Sequence, residues 1–107
     1  MKFEEMGRLV ATRAVGDLQT ENQAFNDFIL RCLSRYSSHD WGDLCEEDKK
    51  SNDRAVEKGD ERILAAYSFP QDARWIATNM YGGSENKIWI ITEWDRSVIT
   101  ILFPGEY

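Results

Sequence analysis

The residues best suited to chemistry lie together between two apolar runs late in the sequence. Thr92-Glu93-Trp94-Asp95-Arg96-Ser97 places two carboxylates, a guanidinium and two hydroxyls side by side. A carboxylate can act as a general base, and an arginine can stabilise developing phosphate charge. A small metal-independent ribonuclease could therefore use Glu93 as base and Arg96 as electrophilic support. In the structural alternative, Asp95 favours a tight turn while Glu93 and Arg96 pair across the strand ends.

We favour the structural alternative, because the sequence shows no basic surface that would hold RNA.

Outside this stretch, His39 could act as an acid, or could form a nucleophilic relay with Asp40 and a cysteine. The two cysteines, Cys32 and Cys45, have irregular spacing and form no C-x-x-C pair that would indicate zinc. A cysteine pair this sparse fits a reducing compartment better than a disulfide framework. We expect no catalytic residue, no metal, no cofactor and no disulfide.

The negative charge of the chain is concentrated in one segment. The net charge is -6, and residues 38–61 carry nine acidic against four basic side chains. One interpretation is a solvated helix face. The other is a surface that binds the basic groove of a partner, since duplex DNA presents one phosphate charge per roughly 1.7 Å of its axis. The same sign argues against direct binding to duplex nucleic acid.

The bulk properties indicate one domain spanning residues 1–107. The chain has 107 residues and 42% hydrophobic content, which is ordinary for a single globular domain. No apolar run approaches the roughly 20 residues that cross a bilayer. The opening residues, Met1 to Met6, have neither the basic start nor the apolar stretch of a signal peptide. We expect a cytoplasmic protein.

The first half of the chain predicts one strand followed by helices. Residues 7–13 are short, β-branched and bounded by glycines, which predicts a strand. A helix is predicted from Thr20, whose hydroxyl can form a capping box with Gln23, and it ends near residues 37–38. Its apolar positions recur every three or four residues along one face: Phe25, Phe28, Ile29, Cys32, Leu33 and Tyr36. Cys32 is then a packed thiol.

The second half predicts one more helix and then strands. A helix over residues 44–58 is predicted with Asp43 as its cap, Glu46 completing a capping box and Gly59 as its end. Residues 62–69 are apolar at nearly every position and predict a strand. Residues 75–81 predict a further strand, and residues 87–93 and 97–103 predict a hairpin. The expected class is α+β: an antiparallel sheet of three to five strands with two helices on one face, in the order β-α-α-β-(β)-β-β.

Two stretches carry a family resemblance. The first is the D-W-G-D-L motif with the residues that follow it, Asp40 to Lys49 and Asn52-Asp53. The second is K-I-W-I-I-T-E-x-D-R-S, Lys87 to Ser97, extending through Glu106-Tyr107. They resemble a family of small proteins encoded on plasmids and other mobile elements of bacteria. The resemblance implies mobile-element biology, in which small acidic inhibitors of host defence, including anti-CRISPR proteins, are a recurring class.

Charge and resemblance together predict a non-enzymatic anti-defence inhibitor. Its expected partner is a bacterial defence nuclease, with a CRISPR effector as the target and its nucleic-acid or guide-RNA surface as the place that is blocked. One alternative is a small metal-independent ribonuclease or toxin that acts through the hairpin tip. The other is a plasmid-maintenance adaptor that uses the helix over residues 44–58, whose apolar stripe is narrow, as an oligomer interface. The predicted partner-binding residues are Asp40, Trp41, Asp43, Glu46, Glu47, Asp48, Asp53, Glu93, Trp94, Asp95 and Arg96.

Overall fold

The computed structural model describes residues 8–59, 61–70 and 87–107, and within these ranges the chain forms an α+β fold, as predicted. The strands are β1 (Arg8–Ala11), β2 (Ile63–Ser68), β3 (Lys87–Thr92) and β4 (Val98–Leu102). The helices are α1 (Arg13–Glu21), α2 (Gln23–Ser37) and α3 (Glu46–Lys58), and a short 3-10 helix covers Pro104–Glu106. None of the helices in these ranges has the length and apolar character that a membrane span requires.

The sheet is mixed, so the prediction of an antiparallel sheet is wrong for one strand. The strand order is β1-β4-β3-β2, and β1 runs parallel to β4 with Leu9 opposite Ile99. The predicted hairpin is confirmed as β3 and β4, which pair antiparallel. A short turn allows only antiparallel pairing of the two strands it joins. No turn joins β1 to β4, so the local sequence does not fix the direction of β1.

There are three helices in the described ranges where two were predicted. The helix α1 covers the predicted end of the first strand, the stretch around Gly16 for which no helix was predicted, and the first residues of the helix predicted from Thr20. Glycine at position 16 lowers helix propensity by about 1 kcal/mol. The Thr12 hydroxyl caps α1 by accepting from the Val15 amide at 3.4 Å. The predicted capping box is wrong: the Thr20 hydroxyl donates to the Gly16 carbonyl within α1. Asn22 caps α2 instead, through the Phe25 amide at 3.0 Å.

The predicted apolar face of α2 is confirmed and forms the centre of the core. All six predicted positions are buried, and burial of each larger apolar side chain stabilises the fold by roughly 1.5–3 kcal/mol. They pack with one face of the sheet, which carries Ile63, Ala65, Tyr67, Ile88, Ile90, Ile99, Ile101 and Phe103. Ala14 and Val15 of α1 and Ala55 of α3 join the same core. All three helices therefore cover one face of the sheet.

The helix α3 begins two residues later than predicted. Cys45 is its N-cap and makes no side-chain capping hydrogen bond, so the proposed cap by Asp43 is wrong. The predicted end is confirmed, since Gly59 is left-handed with φ 73° and its amide donates to the Ala55 carbonyl. The strand predicted over residues 62–69 is confirmed as β2. The strand predicted over residues 75–81 lies outside the described residues.

Candidate partner-binding surface

The turn after α2 fixes Asp40. His39 is left-handed with φ 64°, and the Asp40 amide donates to the Arg35 carbonyl at 2.9 Å, which is the pattern of a Schellman helix end. The Asp40 carboxylate accepts from the Arg35 guanidinium at 2.8 Å and from the Gly42 amide at 3.1 Å. These bonds hold the pKa of Asp40 below its usual value, and the bond with Arg35 is the largest cause. Asp40 therefore stabilises this turn.

Trp41 is a core residue, with 2% of its surface exposed. Its ring lies 5.4 Å from the rings of both Tyr36 and His39. The indole N–H donates to the Asp53 carboxylate at 2.8 Å, which joins the turn to the middle of α3. A residue buried to this extent offers no surface to a partner, so its assignment to partner binding does not fit the structure. Asp53 serves as the hydrogen-bond acceptor that a buried indole requires.

Among the described strands β2 lies at one edge of the sheet, and its outward side is covered by residues from the acidic segment. The Ala66 amide donates to the Trp41 carbonyl at 3.3 Å, and the Asp43 amide donates to the Ala66 carbonyl at 2.7 Å. Two residues further along β2, the Ser68 amide donates to the Asp43 carboxylate at 2.9 Å. That bond is the largest cause of the lowered pKa of Asp43.

Asn52 completes this coverage at the other end of β2. Its side-chain N–H donates to the Leu64 carbonyl at 2.7 Å, and its side-chain oxygen accepts from the Leu64 amide at 3.4 Å. Leu64, Ala66 and Ser68 alternate along the strand, so their backbone groups all point away from β3. We call Trp41, Gly42, Asp43 and Asn52 together the edge clasp.

Gly42 is the residue that the edge clasp requires most strictly. It has φ 77° and forms a bridge to Ala66, and a Cβ atom at this position would lie 2.0 Å from the Ala66 carbonyl oxygen. No residue with a side chain can approach the strand so closely. The D-W-G-D part of the sequence motif is thus explained by folding: it ends α2 and seals the edge of β2.

Three of the predicted acidic residues remain free for other uses. Glu46, Glu47 and Asp48 are exposed in the first turn of α3, where carboxylates are stabilised by the positive end of the helix dipole. Lys49 lies 3.8 Å from the Glu46 carboxylate in an exposed pair, and such a pair contributes little. We call Glu46, Glu47 and Asp48 the acidic turn.

The other predicted site residues form the turn between β3 and β4, which we call the hairpin tip (residues 93–97). The Arg96 amide donates to the Glu93 carbonyl at 2.9 Å, and Arg96 is left-handed with φ 63°. Glycine is usual at this position of a hairpin, because a side chain there is strained. Asp95 accepts from the Ser97 amide at 3.0 Å and from its hydroxyl at 2.6 Å, which lowers the pKa of Asp95.

The Arg96 side chain accounts for this strained conformation. Its guanidinium donates to the Ala55 carbonyl at 2.7 Å and to the Glu61 carbonyl at 2.6 Å. Ala55 lies in the last turn of α3, where a cation is favourable. Arg96 therefore joins the hairpin to the C-terminal end of α3. Its contact with Glu93 is to the backbone carbonyl at 3.3 Å, which differs from the predicted pairing of side chains.

These contacts do not support the ribonuclease hypothesis. The guanidinium that was to stabilise phosphate charge is held by backbone carbonyls. The Thr92 hydroxyl, counted among the reactive groups of the tip, is fully buried and lies 2.5 Å from the Tyr36 hydroxyl in the core. Burial raises the pKa of Tyr36 to about 12. Trp94, in contrast, has 64% of its surface exposed.

The histidine and the cysteines have structural surroundings. His39 lies over Trp41 at an interplanar angle of 14°, and burial lowers its pKa. Burial also raises the pKa of the Cys32 thiol to about 12, so Cys32 is the packed thiol that was predicted and a poor nucleophile. Both cysteines are free thiols. Within the described ranges no three His, Cys, Asp or Glu side chains are grouped as metal ligands.

Asn52 was missed as a structural residue, although the sequence contains a signal for it. It precedes Ala55 by three residues and Val56 by four, so it falls on the apolar stripe of α3. An amide on such a stripe must find hydrogen-bond partners when it is buried.

No protein-family model, curated protein or solved structure matches this chain in sequence or fold.

Three glycine substitutions separate the causes of the Gly42 requirement. Gly42→Ala combines a positive φ with the clash at Ala66, Gly59→Ala has a positive φ of 73° in open space, and Gly16→Ala has neither. We expect Gly16→Ala to raise the free energy of unfolding by about 0.5–1 kcal/mol and Gly59→Ala to lower it by about 1–2 kcal/mol. Gly42→Ala should lower it by at least twice as much as Gly59→Ala. Urea denaturation measures all three, and equal losses for Gly42→Ala and Gly59→Ala would contradict the edge clasp.

Substitutions of Arg96 test whether its side chain compensates for its backbone. Arg96→Ala and Arg96→Gly both remove the guanidinium, but only glycine removes the left-handed strain. We expect Arg96→Ala to lower the free energy of unfolding by about 2–3 kcal/mol, and Arg96→Gly by about 1 kcal/mol less. Arg54→Ala, an exposed change on α3, is the control and should stay within about 0.5 kcal/mol. An Arg96→Ala variant as stable as the parent protein would show that the bonds to Ala55 and Glu61 contribute nothing.

Proposed function

We propose that this protein is a non-enzymatic inhibitor of bacterial defence that acts in the cytoplasm of the host cell. Its partner is a CRISPR effector nuclease, and it blocks the surface of that nuclease that holds nucleic acid or guide RNA. The observation that carries the proposal is the acidic turn: Glu46, Glu47 and Asp48 are exposed and adjacent, at the start of a helix whose position is fixed by other contacts.

The structure divides the acidic segment into a part that folds the chain and a part that can meet a partner. Asp40, Asp43 and Asp53 each accept hydrogen bonds from the fold. The acidic turn makes no such contribution within the described residues beyond the exposed pair with Lys49. These three carboxylates contribute only the pair with Lys49 and their favourable position at the start of the helix, so their use in binding costs the fold little.

Carboxylates on a helix of fixed position suit the proposed target. A nuclease groove holds phosphates with lysine and arginine side chains, and complementary charge raises the rate of association and selects the partner. The edge clasp holds the middle of α3 and Arg96 holds its C-terminal turn, so the backbone of the acidic turn belongs to a helix that is already in place before binding. The same charge argues against direct binding of this protein to duplex DNA.

The proposal is tested by preincubating the purified protein with each of several CRISPR effector–guide complexes and then adding labelled target DNA. The protein should suppress cleavage by at least one effector. Replacing Glu46, Glu47 and Asp48 together by lysine should raise the concentration needed for half inhibition on the order of tenfold at low ionic strength. The effect should be smaller at high salt, because salt screens exposed charges.

The control carries the same change of charge at another place. Replacing Asp17, Glu21 and Asp27, which are exposed on α1 and α2, by lysine should leave inhibition near the parent value. A neutral variant, Glu46→Gln with Glu47→Gln and Asp48→Asn, separates loss of attraction from new repulsion, and circular dichroism checks the fold of each variant. Unchanged cleavage at large excess of protein across all effectors would refute the proposal.

A further inference from the structure

Trp94 is exposed without a structural reason in the described part of the chain. Its exposed fraction of 64% exceeds those of the other exposed large apolar residues, Leu30 at 55%, Tyr107 at 59% and Leu9 at 45%. Tyr107 still contacts the Trp89 ring, with 5.7 Å between ring centroids. No ring contact of this kind involves Trp94 among the described residues. Exposed tryptophan carries a cost in solubility and is the residue type most enriched at binding hot spots.

The hairpin tip presents Trp94 in a fixed position. The turn is closed by the bond from the Arg96 amide to the Glu93 carbonyl, and the Arg96 guanidinium also donates to the Trp94 carbonyl at 3.4 Å. On the other side, Asp95 is held by both polar groups of Ser97. A side chain on a backbone that is already ordered loses less entropy on binding than one on a flexible loop.

Carboxylates flank the exposed ring on both sides in the chain. Asp95 follows Trp94 and is exposed, and its hydrogen bonds to Ser97 favour the ionised form by lowering its pKa. Glu93 precedes Trp94 and is partly exposed. The nearest positive charge in the turn, Arg96, is directed at the carbonyls of Ala55 and Glu61. The tip therefore combines a flat aromatic ring with carboxylates on the residues directly before and after it in the chain.

An unpaired nucleotide in a single strand has the same combination, a flat ring between two phosphates. Proteins that bind single strands provide aromatic side chains on which bases stack and cations that hold the backbone, and each stacked base contributes about 1–3 kcal/mol. We propose that the hairpin tip mimics such a nucleotide: Trp94 occupies a base-stacking pocket of the partner, and Glu93 and Asp95 meet its phosphate-binding cations. This inference rests on the proposed function and names the part of the nuclease that is blocked.

The charge of the tip selects a protein as its partner over a nucleic acid. Trp94 alone could stack on a base of single-stranded DNA or RNA. The carboxylates on both sides of it would then face the phosphates of that strand, which is repulsive. In a protein pocket that evolved to hold a nucleotide, the same carboxylates meet lysine or arginine, and the Trp94 ring can also contact those cations through its face.

The test is displacement of a single strand. A fluorescein-labelled single-stranded DNA oligonucleotide is bound to each effector complex that the protein inhibits, and fluorescence anisotropy follows its release as the protein is added. The parent protein should release the oligonucleotide. Trp94→Ala should raise the midpoint on the order of tenfold or more, and Trp94→Phe, which keeps a ring, should raise it less. Glu93→Gln with Asp95→Asn should weaken displacement more at low than at high salt.

Two controls make the outcomes distinct. Leu30→Ala removes a comparably exposed apolar side chain from α2 and should displace like the parent protein. The labelled oligonucleotide with the protein alone should show no anisotropy change, and binding there would show that the tip holds a nucleic acid itself, which overturns the mimic. Inhibition of cleavage without displacement, or equal displacement by Trp94→Ala, overturns this inference and leaves the proposed function standing. Absence of inhibition by the parent protein refutes the proposed function and this inference with it.

Discussion

A strand at the edge of a sheet leaves a row of backbone N–H and C=O groups that must find partners. In this protein the edge of β2 is closed by Trp41, Asp43 and Asn52, which bond to Leu64, Ala66 and Ser68. The consequences reach beyond the strand, because Trp41 and Asp43 lie in the connection from α2 to α3, and Trp41 also donates to Asp53 in the middle of α3. The position of α3, and with it the acidic turn, depends on this closure.

The acidic segment therefore has two parts in different surroundings, which its composition does not distinguish. Asp40, Asp43 and Asp53 hold the clasp and its surroundings, whereas Glu46 and its two neighbours are exposed to solvent. Arg96 gives the opposite end of α3 a comparable attachment, through the Ala55 carbonyl. Eight residues separate Glu47 from Ala55, to which Arg96 attaches the hairpin tip, so the acidic turn and this point of attachment lie about 12 Å apart along α3.

The sequence predicted those features that local periodicity determines. Apolar residues recur every three to four positions along α2 and every two positions along β3 and β4. The buried face of α2 and the hairpin that these patterns predict are both confirmed. The parallel pairing of β1 and the helix α1 depend on distant contacts: β1 meets a strand from the other end of the chain, and the packing of Ala14 and Val15 outweighs Gly16. The role of Asp43 was assigned to a helix cap, since nothing local shows that the Ser68 amide lies beside it. Trp94 and the acidic turn are exposed as expected, but their partner remains a proposal.

Amide hydrogen exchange tests the edge clasp most directly. The amides of Leu64, Ala66 and Ser68 point away from β3, so among the described residues only the clasp protects them, whereas those of Ala65 and Tyr67 face β3 within the sheet. The structure predicts that Ala66 and Ser68 exchange slowly in the parent protein and that Asp43→Ala speeds exchange at Ser68 while Tyr67 stays protected. Fast exchange at Ala66 and Ser68 in the parent protein, at the rate of an uncovered edge strand, would contradict the account.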